Sequence, residues 1–90
     1  MADIKETWDR HAKDIIAGNM AGLMGDFTPN GMTKAMAIAA NPLQASTFEV
    51  NDLGGNEVEI TYVGDKRRTI WSKWVESGGK WQIDDLAERA

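Results

Sequence analysis

The stretch from Glu57 to Asp84 reads EVEITYV, GD, KRRTIWSKWVE, SGGK, WQID. Gly64-Asp65 and the Gly78-Gly79 pair divide it into three runs rich in Val, Ile, Thr, Tyr and Trp, and three of the chain's four tryptophans lie within it. Runs of this composition bounded by Gly and Asp predict consecutive antiparallel strands joined by tight turns. Side chains alternate between faces along a strand. The loop lengths therefore decide which side chains share a face.

A two-residue turn at Gly64-Asp65 pairs Val63 with Lys66, and so sets Tyr62 opposite Arg67 and Val58 opposite Trp71. One face then carries Val58, Ile60, Tyr62, Thr69, Trp71 and Val75. The other carries Glu57, Glu59, Thr61, Val63, Arg68, Ile70, Ser72, Trp74 and Glu76. Glu59 and Arg68 become near-diagonal opposite charges, which favours this register. Trp81 and Ile83 join the Trp71 face if the last loop is odd in length, Gly78-Gly79-Lys80; a two-residue loop sends Trp81 to the opposite face.

The first face is the one for helices to cover. The second carries Ile70 and Trp74 with Val63 nearby. Left bare, it is a solvated face on which Trp74 lies flat between Arg68 and Glu76. Covered by a two-fold mate, it is an isologous homodimer interface built on Val63, Ile70 and Trp74. The homodimer is the expectation adopted, because a single domain of 90 residues buries only about 60–65% of its unfolded surface and has a thin core.

Upstream, Ile4 to Ala17 reads as a helix. Ile4, Trp8, His11, Ala12 and Ile15 fall on one face, at the spacing of an amphipathic stripe. Asp3 is expected to cap it with Glu6 in a capping-box arrangement, and Gly18 to stop it. Asn19 caps a short helix from Met20 to Met24. Thr28-Pro29-Asn30-Gly31 carries a β-turn signal. Met32 to Ala40 predicts a third helix, ended by Asn41-Pro42. Ala45 to Leu53 predicts a first strand, with Phe48 and Val50 on one face, and Trp81 to Ala87 a fourth.

The composition narrows the function. The net charge is −4 and the pI about 4.8, which argues against nucleic-acid binding. The one basic cluster, Lys66-Arg67-Arg68, alternates faces on a strand. With no cysteine and one histidine, no metal constellation arises, and no cofactor is expected. Met1 to Arg10 holds no apolar signal segment, and no apolar run approaches the ~20 residues of a membrane span. A cytoplasmic location without membrane contact is expected.

Helices followed by an antiparallel, strongly bent sheet of about four strands form an α+β, cystatin-like cone. The chain resembles the nuclear transport factor 2-like superfamily, with its SnoaL-like and ketosteroid-isomerase-like folds. The resemblance rests on an early aromatic in the first helix, Trp8; on the break from Gly18 through Phe27; and on the closing pattern from Arg67 through Ile83 with its Trp71, Gly79-Lys80-Trp81 and Ile83. It spans nearly the whole chain. The chain is shorter than usual members, with no room between Phe27 and Phe48 for both a third helix and the hairpin that walls the pocket. The resemblance implies a mostly apolar cavity inside the cone, shallow here, and a dimer through the outer face of the sheet.

In such a cone the stripe of the first helix faces the cavity. His11 is then a candidate general acid or base, with Tyr62 on the inner sheet face to assist; the alternative is a histidine bonded at the edge of the core. Asp26, Asp84 and Asp85 are read as turn or strand-end carboxylates. Met20, Met24 and Met36, with Trp8 and Trp71, are candidates to line the cavity or simply to fill it. Three functions follow: a homodimeric module binding a small apolar ligand; an isomerase, dehydratase or cyclase using His11; and a protein-interaction module using the Ile70/Trp74 face. Whether it is an enzyme is left open.

Overall fold

Helix α1 forms over Ile4–Ala17, ended by Gly18 in the left-handed region at φ 68°. The structure is a computed structural model describing residues 3–89. Thr7, Trp8, His11 and Ala12 make up the buried face of α1. Asp3 stands at the N-cap without a side-chain capping bond, so the expected capping box is not formed; the Thr7 hydroxyl instead donates to the Asp3 carbonyl at 3.1 Å. Helix α2, Met20–Leu23, is capped by Asn19 and runs into a 3₁₀ turn over Met24–Asp26.

The Thr28-Pro29-Asn30-Gly31 segment is a helix start rather than a β-turn. Thr28 accepts from the Gly31 amide and Pro29 occupies the first turn of α3, Pro29–Ala39. A hydroxyl cap followed by proline is a strong nucleation signal, and it opens the helix earlier than Met32.

Strands β1 (Thr47–Gly54), β2 (Glu57–Val63), β3 (Arg67–Ser77) and β4 (Lys80–Arg89) form an antiparallel meander in the order β1-β2-β3-β4. The fold is therefore α+β, with three helices and a four-stranded antiparallel sheet.

The register of β3 differs from the sequence expectation by one residue. Val63 pairs with Arg67, Ile60 with Ile70 and Val58 with Ser72, so the loop is Gly64-Asp65-Lys66. Neither Gly64 nor Asp65 adopts the positive φ that a two-residue primed turn requires. Gly64 instead allows a close approach of backbone, since a Cβ there would run into the Gln44 carbonyl oxygen. The slip turns β3 over. Ile70, Ser72 and Trp74 join Val58, Ile60 and Tyr62 on the helix-covered face, all of them buried, with Trp74 only 1% exposed. Thr69, Trp71 and Val75 turn outward. Ile70 and Trp74 therefore form no outer surface, and neither the homodimer interface built on them nor the protein-docking face has a basis in this structure.

The outer face is instead a polar ladder. Trp71 donates its indole N–H to Glu57 at 3.0 Å and lies under the Arg89 guanidinium, 4.9 Å from its ring centroid. Thr61 and Thr69 share a hydroxyl bond at 2.9 Å, with Val63 half-buried beside them. On the helix-covered side, Arg68, paired with Tyr62, reaches Glu88 at 2.7 Å and the Asn41 and Pro42 carbonyls, not Glu59.

The β3–β4 turn is the two-residue Gly78-Gly79, both residues at positive φ. Trp81 thus pairs with Glu76, on the face opposite Trp71, the outcome that parity assigns to an even loop. A bulge follows: Lys73 pairs with Asp85 and Trp74 with Ile83, leaving Asp84 unpaired. The extra residue keeps Ile83 and Leu86 both in the core and frees Asp84 to anchor α3. Thr28 donates to the Asp84 carboxylate at 2.8 Å and Asn30 to the Asp84 carbonyl at 2.7 Å. Among the described residues no helix is long and apolar enough to cross a membrane.

Candidate functional site

The helix-covered face is only partly filled. Between α1, α2, α3 and the sheet lies a cavity of about 370 Å³, within the range of roughly 300–1,000 Å³ usual for small-molecule sites. Ile15, Leu23, Phe27, Met32, Ile70 and Leu86 contribute to its apolar wall. Met20, Met24 and Met36 also line it while remaining 68%, 70% and 67% exposed, which places these three flexible side chains at its rim. Ile70 is thus a cavity residue, a role sequence parity did not assign to it.

Two lining side chains carry hydrogen-bonding nitrogen or oxygen atoms: His11 and Tyr62. Both were singled out in the sequence as candidate acid–base residues, and both line this cavity. Trp8 does not line the cavity; it is 2% exposed inside the core, and its indole N–H is a buried donor without a partner. Trp71 is on the other side of the sheet, because the β3 register carries it there.

His11 is oriented by a partner that sequence reasoning passed over. Asp26, at the end of the 3₁₀ turn and 4% exposed, brings Oδ2 to 2.8 Å from His11 Nδ1. Arg10 grips the same carboxylate from outside, Nη2 on Oδ1 at 2.6 Å and Nη1 on Oδ2 at 3.1 Å. Arg10 also donates to Asp14 at 2.8 Å, which in turn accepts from Asn19 at 3.1 Å. Burial alone would raise the Asp26 carboxyl; the hydrogen bonds from His11 and Arg10 outweigh it and hold the group below its ordinary value, in keeping with the preference of an ion for charge-assisted donors.

An ionised Asp26 can only accept. His11 must therefore present N–H at Nδ1, and Nε2 is the nitrogen that Asp26 leaves free. No protein hydrogen bond to Nε2 or to the Tyr62 hydroxyl occurs among the described residues. Neither atom is among the fully buried, unpartnered ones. Burial pushes the Tyr62 phenol well above its ordinary range, so it remains a donor. Phe27 and Trp74 make T-shaped contacts with the imidazole at centroid distances of 5.9 and 5.3 Å.

Asp26 escaped the sequence reading because its environment is long-range. Its partners are 15 and 16 residues away, and a lone Asp between Gly25 and Phe27 reads as a turn residue. Arg10 and Asp26 also line a separate cleft of about 340 Å³ with Thr7, Lys80 and Trp81, so the outer end of the Arg10–Asp26–His11 chain opens to solvent. Asp84 and Asp85 serve α3, Asp85 pairing with Lys34 at 2.9 Å. No family model, curated protein or solved structure matches this chain.

Proposed function

We propose that the chain binds a small, mostly apolar molecule in the cavity between its helices and its sheet. The observation that carries this is the lining itself: about 370 Å³ walled by apolar side chains, with His11 and Tyr62 as its nitrogen- and oxygen-bearing side chains. An apolar cavity with a few placed polar groups is the usual form of a ligand site, and a methionine rim adapts to ligand shape. Three helices preceding an antiparallel meander, with the cavity between the layers, support the reading as a shortened cone of the nuclear transport factor 2-like kind.

The test is binding of an uncharged apolar fluorophore, 1-aminoanthracene, to wild type and to Ala35→Phe, which puts a ring into the cavity wall. Saturable binding that Ala35→Phe abolishes, with its circular dichroism unchanged, is expected. Equal binding by both would place the fluorophore elsewhere and sink the reading.

A second reading has its own support in the His11–Asp26 bond at 2.8 Å. A histidine oriented by a carboxylate, facing an apolar cavity, is equipped for general acid–base chemistry of the isomerase, dehydratase or cyclase kind. On this reading His11→Ala abolishes turnover of a bound substrate while 1-aminoanthracene still binds.

A further inference from the structure

We infer that the ligand of this cavity carries an acidic O–H group, and that the class it takes is an apolar monocarboxylic acid. The inference rests on the cavity-binding reading and goes on to the chemistry of the ligand. Asp26 engages Nδ1 and His11 lines the cavity, so an uncharged His11 has its Nε2 lone pair left for a ligand. A lone pair in an apolar enclosure calls for a donor, and among the described residues none supplies one. A purely hydrocarbon ligand would leave it unpaired. A ketone or ester, which only accepts, would face it lone pair to lone pair.

A carboxylic acid meets the need, and the alternation of charges it completes favours it further. When its O–H proton passes to Nε2, the electron pair stays on the ligand carboxylate and no other bond changes. The charges then alternate from the cavity outward: ligand carboxylate, His11 imidazolium, Asp26 carboxylate, Arg10 guanidinium. Arg10 contacts Asp26 at 2.6 Å and Asp14 at 2.8 Å, so the row continues to a second carboxylate and each charge in it stands beside an opposite one. The other rings against His11 are the uncharged side chains of Phe27 and Trp74. Tyr62, from β2, lines the same cavity with a hydroxyl that stays protonated and suits a second carboxylate oxygen.

The experiment is isothermal titration of wild type with octanoate and with methyl octanoate, which has the same chain and no O–H. It is run at pH 8 in phosphate and in Tris, whose ionisation heats differ. Octanoate enters as the anion, so the complex is expected to take up about one proton, seen as a buffer-dependent heat. It should bind about tenfold or more tightly than the ester. His11→Gln should lose the proton uptake, and Tyr62→Phe should weaken octanoate by about threefold or more; the wild-type proton uptake stands as a test even if His11→Gln does not fold. Ester binding as tight as the acid, with no proton uptake, would overturn the ligand class and leave the cavity reading intact. Failure of both molecules to bind would overturn the two together.

Discussion

His11 Nδ1 lies 2.8 Å from Asp26 Oδ2, joining the middle of α1 to the end of a 3₁₀ turn 15 residues later. The bond places a proton on Nδ1 and leaves Nε2 free of Asp26. It also makes α1 and the 3₁₀ turn part of one electrostatic unit with Arg10. Both groups are nearly excluded from water, so neither has solvent as an alternative partner.

Asp26 should make stability depend on acid. Its folded carboxyl titrates below the unfolded value, so the unfolded chain binds the proton first as pH falls. The contribution is complete above the unfolded value near pH 4 and is lost as pH falls through the lower, folded one. Asp26→Asn is expected to cost about 2 kcal/mol at pH 7. The gap to wild type should be smaller below about pH 4 than at pH 7. Urea unfolding followed by tryptophan fluorescence at both pH values checks this.

The β3 register predicts opposite fates for two tryptophans. Trp74→Ala should cost about 3–5 kcal/mol, a large part of the stability of a domain this size. Trp71→Ala, which removes a bond to Glu57 and an Arg89 contact on a solvated face, should cost about 1 kcal/mol. Denaturant midpoints in the reverse order would restore the two-residue turn.

Trp8 and Trp74 also differ in their indole N–H groups. The Trp8 N–H is buried without a partner, whereas that of Trp74 donates to the Ser72 hydroxyl at 3.0 Å. Trp8→Phe trades lost bulk against relief of an unpaired donor and should stay within about 1 kcal/mol of wild type. Trp74→Phe loses bulk and orphans Ser72, and should cost about 2 kcal/mol or more. Thermal unfolding of the pair decides it.

Gly31 is where α3 meets β4. A methyl there would run into the Ile83 carbonyl oxygen, backbone that cannot swing aside. Gly31→Ala should destabilise by about 1–3 kcal/mol and weaken 1-aminoanthracene binding, because α3 forms one wall of the cavity. Unchanged binding in a fully folded variant would show that α3 does not shape the site.

Periodicity and local chemistry in the sequence were enough for the helix bounds of α1, the span of β2 with its buried Val58, Ile60 and Tyr62, and the placing of His11 on the apolar stripe of α1 and Tyr62 on the helix-covered face. Each of these depends on neighbours within a turn or two of chain. The face of β3 was not legible, because both of its faces carry large apolar groups and only the loop length chooses between them. That length depends on Gly64 lying against the Gln44 carbonyl, a contact made by chain that comes before β2. Asp26 was hidden for the same reason: a carboxylate in a short Gly-rich segment becomes a buried ion only when α1 brings His11 and Arg10 to it. The sequence alone determined α1 and the succession of four strands, while the start of α3 at Pro29 read as a turn. Tertiary packing decided which tryptophan is core and which carboxylate is functional, because burial and charge pairing are properties of residues distant in the chain.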